Sequence, residues 1–353
     1  MDAITCFLNL QLPYLGVTIL EAIFILIIPI IIDLPRTIFK SVYLILDAFY
    51  EKKVEDRYSR HYTPLLSIIV PAHNEEETIE KTIQSLLEAD YPNKEIIIVD
   101  DGSTDRTYEL ALSYARKGLI KLLKREKASG KKAVPVNYGL LFAKGDIVLI
   151  VDADTLIERN SLRQMIRPLS DPQVGAVSGN VRVANKQNLL TRLQAYEYLM
   201  AMEMGRRFQS HVGTLMIIPG AFGAVRKRLL QEAGAYDIDT MTEDFDITVK
   251  IHKMKQKIRF VSEAIAWTFA PTTWRTWIRQ RTRWTRGQLQ TLLKHRNLFF
   301  KSYFGLVGLI GAPDMAFMDI VILFARTTWF FILPIFFINN LWRLLVVFIL
   351  VYV

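Results

Sequence analysis

Three short apolar runs rich in β-branched residues constrain the fold of this chain most. They occupy Leu65–Val70, Glu95–Val99 and Asp146–Val151, and each one ends in polar residues. Helix-like stretches, such as residues 75–89 and 105–117, separate them. This alternation predicts an α/β domain with a mainly parallel sheet. Ligands of such sheets bind beyond the carboxyl ends of the strands, so the polar residues there are the first candidates for a site.

Apolar segments lie on both sides of this domain. Tyr14–Ile32 is a run of about 19 residues, close to the roughly 20 that a membrane-spanning helix needs. A signal peptide is disfavoured, because no Lys or Arg precedes the run and no small-residue cleavage site follows it. Toward the other end, Met318–Ile338 has the length of a span despite Arg326. Phe304–Ala325 is a weaker span because it contains Pro and Asp, and Leu341–Val353 is short.

The composition agrees with a soluble domain joined to membrane segments. The chain is 51% hydrophobic, too apolar for an ordinary soluble protein, and 22% charged, too charged for a pure membrane bundle. Arg36, Lys40, Lys52 and Lys53 follow the first apolar run. The positive-inside rule therefore predicts that the domain faces the cytoplasm. Residues 36–50 look amphipathic and are predicted to lie on the membrane surface.

The net charge of +9 favours anionic partners such as nucleotide diphosphates and lipid headgroups. Nucleic acid is disfavoured, because no basic run interleaved with aromatic residues stands on a soluble surface element. Cys6 is the single cysteine, which excludes an internal disulfide.

The first two strands end in sequences suited to a nucleotide. The first ends in Pro71–Glu75, where a turn would place backbone groups and Glu75 beside a base. The alternative is a plain strand-to-helix turn with Asn74 as the N-cap. The second ends in Asp100 and Asp101, adjacent carboxylates that repel each other unless they bind cations or donors. One of them would accept from a base N–H or a ribose hydroxyl, and the alternative is an Asx turn into the next helix.

The third strand ends in Asp152-Ala153-Asp154. Alternate residues of an extended chain point to opposite faces, so a bend must bring both carboxylates to one ion. Such hard oxygen ligands suit Mg²⁺ or Mn²⁺ together with phosphate oxygens. A bare Asp-x-Asp motif is weak evidence for a metal site, but this one is stronger because it follows a buried apolar strand.

Lysines surround Gly130 before the next helix-like stretch, at Lys127, Lys131 and Lys132. A flexible loop of this kind can lie over phosphates, and the alternative is a solvated basic loop. Further on, Thr242 is a predicted N-cap of a helix that carries two candidate general bases, Asp244 and Asp246 (residues 242–246). The alternative is that acidic residues merely favour a helix N-terminus.

The last motif lies in a helix rich in Arg and Trp. Gln280, Arg283 and Trp284 fall within about 100° of arc, and Trp277 joins the same face. This face suits sugar stacking and diphosphate binding. A Trp/Arg belt at the membrane interface is the alternative, and both roles can hold at once.

In this order and spacing, the motifs resemble the processive family 2 glycosyltransferases, which include hyaluronan, chitin, cellulose and poly-N-acetylglucosamine synthases. The resemblance runs from about Pro64 to Trp284 and implies a GT-A fold and a nucleotide-sugar donor, usually UDP-linked. It implies these roles: Ala72, Asn74, Glu75, Asp100 and Asp101 at the nucleotide; Lys131, Gln280 and Arg283 at its diphosphate; Asp152 and Asp154 at the metal, with Asp154 the direct ligand; Asp244 as the base; Trp284, with Gln194, Glu197, Tyr198, Gly220 and Gly223, near the acceptor.

The predicted organisation has four parts: an N-terminal membrane helix with an amphipathic segment (1–50), a GT-A catalytic domain (60–270), interfacial helices with the Gln-x-x-Arg-Trp motif (271–300) and C-terminal membrane helices (301–353). The predicted protein is a cell-membrane enzyme whose cytoplasmic domain extends a β-linked polysaccharide with inversion. One alternative is transfer of a single sugar to a membrane lipid, because the C-terminal membrane part is short for a polymer channel. The second is a component that binds nucleotide sugar without catalysis.

Overall fold

The computed structural model describes residues 23–24, 26–27, 29–55, 58–59, 61–336, 338 and 341–342. The chain divides into two compact units, one of residues 48–314 and one of residues 1–47 with 315–353. Much of Tyr14–Ile32 and nearly all of Leu341–Val353 lie outside the described residues. These two membrane segments therefore stay predictions, as do the four domain boundaries.

The larger unit is built of strands and helices in alternation. The helices given below also include those of the smaller unit, up to residue 336. The strands are β1 (Leu66–Ala72), β2 (Lys94–Asp101), β3 (Lys121–Arg125), β4 (Ile147–Val151), β5 (Thr155–Ile157), β6 (Val174–Val183), β7 (Phe222–Arg226) and β8 (Lys257–Thr268). The helices are α1 (Leu34–Glu55), α2 (Ile79–Glu88), α3 (Thr107–Arg116), α4 (Ala133–Phe142), α5 (Ser161–Ile166), α6 (Leu189–Leu199), α7 (Arg207–Val212), α8 (Lys227–Glu232), α9 (Glu243–Lys253), α10 (Trp274–Lys294), α11 (Ala312–Ala316) and α12 (Leu323–Phe336).

All eight strands form one sheet in the order β3-β2-β1-β4-β7-β6-β8-β5. The pairs among β1, β2, β3 and β4 are parallel, as the alternation predicts. The rest of the sheet is mixed, because β7 runs antiparallel to both β4 and β6 and β5 runs antiparallel to β8. An apolar run predicts a strand but not its direction, which is why the sequence indicated a more uniformly parallel sheet.

Helices cover both faces of the parallel half. Ile68 and Val70 belong to one buried cluster with Ile83 of α2, whereas Ile69 belongs to a second cluster with Val136 of α4. Successive side chains of a strand point to opposite faces, so one strand contributes to both clusters. A strand buried on both sides is continuously apolar, which accounts for the runs that dominate the sequence.

The smaller unit contains a charged pair between apolar helices. Arg326 of α12 donates to both carboxylate oxygens of Asp33, at the end of the π-helical turn Pro29–Asp33. The rings of Phe24 and Trp329 pack edge to face with their centroids 5.0 Å apart. Charged residues in apolar segments are paired in this way when water is excluded.

Among the described residues, the run Val307–Phe336 is the one helix long and apolar enough, by length and composition, to cross a membrane. It includes most of the predicted span Met318–Ile338 and overlaps the weaker Phe304–Ala325.

Candidate active site

The carboxyl ends of β1, β2 and β4 meet at one edge of the sheet. Ala72 is paired with Asp100, and Ile69 is paired with Ile150, two residues before Asp152. This register opens a cleft of about 370 Å³, within the range of small-molecule sites. The polar and charged residues that line it are His73, Glu75, Asp101, Lys131, Lys132, Asp152 and Asp154.

The turn after β1 is cross-linked to the loop after β2. Asn74 has a positive φ of 56°, and its Oδ1 accepts from the backbone N–H of Thr104 at 2.9 Å. The backbone N–H of Glu75 donates to Thr107 Oγ1 at 2.7 Å. The next helix begins at Ile79, so Asn74 is not its N-cap. The side chain of Asn74 instead joins the two loops that border the cleft.

The two adjacent carboxylates after β2 have different surroundings. Asp101 accepts from Arg125 and from the backbone N–H of Ser129 at 2.9 Å, so it anchors the Gly130 loop beside the cleft. Asp100 is 1% exposed, and both its carboxylate oxygens lack a hydrogen-bond partner among the described residues. Buried acceptors without donors are costly, so a donor that reached Asp100 would lower the free energy of the site.

Two neighbouring lysines of the Gly130 loop point to different places. The Lys131 ammonium donates to the carbonyl of Ile238 at 2.7 Å. The Lys132 ammonium pairs with Asp152 and donates to the carbonyl of Gly220 at 2.9 Å. Burial acts to lower the pKa of Lys132, but the carboxylates around it outweigh burial and raise the pKa. Lys132 is therefore a fixed cation among the acidic residues, although the family resemblance assigned the diphosphate to Lys131.

Carboxylates concentrate at the end of β4. Burial, together with the neighbouring charges of Asp152 and Glu75, raises the pKa of Asp154 to about 7. Burial also raises the pKa of Glu75. No group of three or more His, Cys, Asp or Glu among the described residues forms a complete metal cage. A pair of carboxylates whose remaining ligands come from phosphate fits Mg²⁺ or Mn²⁺, and a cation would relieve this repulsion.

Asp244 lies in the first turn of α9, as the sequence predicts, and contacts the backbone of Gly220. The N–H of Gly220 donates to Asp244 Oδ2 at 3.2 Å, and the N–H of Phe245 donates to Oδ1 at 2.8 Å. Thr242 precedes the helix without a capping bond from its side chain, which lies 3.3 Å from Thr291 Oγ1.

Asp246 has the opposite environment and is a poor base. It is fully buried, and its Oδ1 lies 2.9 Å from His295 Nε2 and 3.0 Å from Lys294 Nζ. Burial alone would raise its pKa, but these two partners and Lys250 lower it far below the usual range. Of the two candidate bases, Asp244 is the one that makes no salt bridge among the described residues, although Lys132 and Arg206 lie near enough to interact with its charge.

The face of α10 carrying the Gln-x-x-Arg-Trp motif is organised by Arg281. Its guanidinium makes two bonds to Glu197, at 2.7 and 2.8 Å, and lies 4.4 Å from the ring centroid of Trp284. Gln280 is half-buried with its Oε1 unpartnered among the described residues, whereas Arg283 is exposed. The structure therefore brings Gln280, Arg281 and Trp284 to the inner side of the helix, and Arg283 faces outward.

Sequence reasoning missed Arg206, the last residue of the π-helical segment Met200–Arg206. Its Nη1 is buried and has no partner among the described residues. Burial lowers its pKa to about 10, against the opposing effect of Asp244 and Tyr198. π-Helical turns often mark functional sites, but no residue pattern predicted this one. Gln194 was assigned to the acceptor region, and its amide donates to the carbonyl of Pro271 at 2.8 Å.

Comparison with known proteins finds a family and several relatives that this chain resembles. Residues 67–234 match the family described as glycosyl transferase family 2. The poly-beta-1,6-N-acetyl-D-glucosamine synthase of Staphylococcus epidermidis is 33% identical over 267 residues, which cover 73% of this chain and 65% of that protein. The probable glycosyltransferase YdaM of Bacillus subtilis is 34% identical over 245 residues, 67% of this chain and 58% of that protein. The chain thus spans less than two thirds of the length of these relatives.

Solved structures share the fold. The mannosyltransferase PcManGT from Pyrobaculum calidifontis, in complex with GDP-Man and Mn²⁺, superposes with a TM-score of 0.60 at 22% identity, over 89% of this chain and 96% of that one. TarS 1–349 of S. aureus, in complex with UDP-GlcNAc, gives a TM-score of 0.51 at 18% identity, over 72% and 76%. The mixed α/β sheet described above is therefore of the GT-A type.

Replacing Asp154 with Asn tests the carboxylate cluster without measuring activity. Because the folded-state pKa is raised to about 7, the metal-free protein loses stability as pH rises from the unfolded pKa near 4 through 7. We expect Asp154→Asn to melt at a higher temperature than the parent at about pH 8 and to lose this advantage at about pH 4. Mn²⁺ should then raise the melting temperature of the parent but not of the variant.

Asp90→Asn, which removes an exposed carboxylate paired with Arg163, is the matched control and should respond to Mn²⁺ like the parent. An equal Mn²⁺ response in Asp154→Asn would remove Asp154 from the metal site.

Gly102→Ala tests the contact between the loop after β2 and the Gly130 loop. A Cβ at Gly102 would lie 2.5 Å from the backbone N of Ala128, and the φ of Gly102 is +68°. Gly118 has a similar φ of +72° but open space around it, so Gly118→Ala carries the backbone strain without the clash. We expect Gly102→Ala to weaken nucleotide binding by about tenfold or more, since the added methyl group must displace backbone and over-packing of this kind costs roughly 1–3 kcal/mol. Calorimetric titration with nucleotide measures it, and equal affinities in the two variants would contradict the contact.

Proposed function

Because the chain carries a glycosyltransferase family 2 domain, we propose that it transfers a sugar from a nucleotide-sugar donor, a UDP-sugar, to the growing end of a β-linked polysaccharide. One observation carries the proposal. Lys132 joins Asp152 to the carbonyl of Gly220, and the N–H of Gly220 joins Asp244. The metal carboxylates and the candidate base are thus linked through two residues, as a donor diphosphate and an acceptor hydroxyl at one anomeric carbon require.

A single displacement accounts for the chemistry. Asp244 takes the proton of the acceptor hydroxyl, whose oxygen bonds to the anomeric carbon as the bond from that carbon to the diphosphate oxygen breaks. The attack comes from the opposite face, so an α-linked donor gives a β-linked product. Lys132 lies where its ammonium would pair with the diphosphate and stabilise the negative charge that develops on it. Asp152 and Asp154 would hold Mg²⁺ or Mn²⁺, which when bound neutralises the leaving diphosphate.

The donor and product classes rest on similar proteins. Two structural neighbours were solved with a nucleotide sugar, one of them with Mn²⁺, which agrees with the proposed donor and metal. The relatives named poly-beta-1,6-N-acetyl-D-glucosamine synthase favour a polysaccharide product and an N-acetylglucosamine donor. Ala72, His73 and Glu75 would border the nucleotide, and Trp284, with Arg281 over its ring, would receive the acceptor sugar.

A membrane position is the second part of the proposal. The run Val307–Phe336 has the length of a span, and Phe324, Phe331 and Ile335 are at least 69% exposed in the chain alone. α10 exposes Trp274 and Ile278 together with several arginines, a composition suited to the membrane interface. The catalytic domain would face the cytoplasm, where nucleotide sugars are found.

The proposed function is tested by incubating the full chain in lipid nanodiscs with a panel of UDP- and GDP-sugars and Mn²⁺, measuring diphosphate release and sizing the product. We expect release from UDP-N-acetylglucosamine and a polymer or ladder. A single glycolipid band would instead identify a lipid glycosyltransferase, and donor binding without release would identify a non-catalytic component.

Asp244→Asn should abolish transfer but preserve donor binding. The amide oxygen can still accept from Gly220, whereas the proton acceptor is lost, so kcat should fall by about 10²–10⁴-fold. Glu243→Gln is the matched control, with the same change one residue earlier at a buried carboxyl. Measurements of kcat and of donor affinity should distinguish the two variants. If Glu243→Gln loses transfer while Asp244→Asn keeps it, Asp244 is not the base.

A further inference from the structure

A buried ionic cluster joins α9 to the C-terminal end of α10, away from the cleft. Asp246 of α9 lies at its centre, fully buried. Lys294 and His295 reach its Oδ1 at 3.0 and 2.9 Å, and Lys250 lies 3.4 Å from its Oδ2. His295 Nδ1 lies 2.8 Å from the Lys253 ammonium, which can only donate, so Nδ1 accepts and Nε2 donates to Asp246. His295 therefore bridges Lys253 and Asp246.

Lys294 also holds the loop that precedes α9. Lys294 pairs with Asp237 and lies 3.0 Å from Asp239, and Lys250 lies 2.6 Å from Asp237. Between these two acidic residues, the carbonyl of Ile238 accepts from Lys131 of the Gly130 loop. Lys294 is thus connected through one short loop to a wall of the donor cleft.

Few other contacts set the distance between α9 and α10. Gly287 of α10 lies against Thr242, where a Cβ would be 2.5 Å from Thr242 Cγ2, and Thr291 Oγ1 lies 3.3 Å from Thr242 Oγ1. These contacts are short and local. A buried ionic group is weak evidence for stability, because desolvation offsets much of its attraction. In some proteins such buried ionic groups are retained because they fix one geometry.

We propose that Lys294 and His295 are positioning residues, which through Asp246 and Asp237 hold the base Asp244 in register with Gln280 and Trp284. Asp244 lies two residues before Asp246 on α9, and Gln280 and Trp284 lie on the same helix as Lys294. A shift of α10 along α9 would move the acceptor ring relative to the base and leave the nucleotide contacts of β1 and β2 in place. This proposal rests on the proposed function, in which Asp244 deprotonates an acceptor bound at Trp284.

The kinetic test uses the full chain with Lys294→Met, His295→Phe and the conservative Lys294→Arg. Misplacement by about 1 Å can lower a rate about 100-fold, so we expect a fall in kcat of that order in the first two variants. Donor affinity should fall much less than kcat, because only the loop around Ile238 contacts the donor cleft, and Lys294→Arg should restore most of the transfer rate. Lys257→Met is the control, because Lys257 makes an exposed contact with Gln173 outside the cluster. Full transfer in Lys294→Met, or equal losses of donor affinity and kcat, would overturn the proposal.

Hydrogen–deuterium exchange provides a test that does not need activity. Lys294→Met should speed exchange in residues 242–254 and 284–294 and leave β1 and β2 protected, while Lys257→Met should not. Unchanged exchange in α9 would overturn the positioning role even if the enzyme is active. If the parent chain releases no diphosphate from any donor, the proposed function is refuted. Faster exchange in α9 of Lys294→Met would still show that the cluster holds α9 against α10.

Discussion

The parallel register of β1, β2 and β4 is the constraint on which the site depends. Because the central parts of these strands are buried on both faces, their side chains there are apolar. The polar residues that follow the apolar runs of β2 and β4, namely Asp100, Asp152 and Asp154, therefore lie at one edge of the sheet. The resulting negative charge is unfavourable in itself, and it makes this edge a receptor for cations and hydrogen-bond donors.

Lys132 offsets this charge directly at Asp152. It lies between Asp152 and the Gly220 carbonyl, so it both offsets the carboxylates and holds the Gly220 segment near Asp244. If a donor diphosphate bound together with a metal ion, the diphosphate would replace the carboxylates as the anionic partner of Lys132. In the proposed reaction, the site is then already arranged for the charge that develops on the leaving diphosphate, and such electrostatic preorganisation is usually the largest source of catalysis.

The sequence predicts what depends on local pattern and misses what depends on distant partners. The parallel strands, their polar ends and the helix beginning at Glu243 follow from residues close in the chain. The cross-link made by Asn74 does not, because its partner Thr104 is 30 residues away. A helical wheel places Arg281 and Arg283 at known angles, but only the position of Glu197 decides that Arg281 points inward.

Asp244 and Asp246 show how environment rather than residue type assigns a role. They lie in one turn of α9, and either could act as a base on the sequence alone. Asp246 meets Lys294 and His295, which come from a helix end 48 and 49 positions further on and both contact its Oδ1. A carboxylate whose pKa is held this low takes a proton poorly, since a general base works best with a pKa near the operating pH. Asp244 accepts from backbone N–H groups instead, so the cluster that disfavours Asp246 as a base leaves Asp244 as the proposed one.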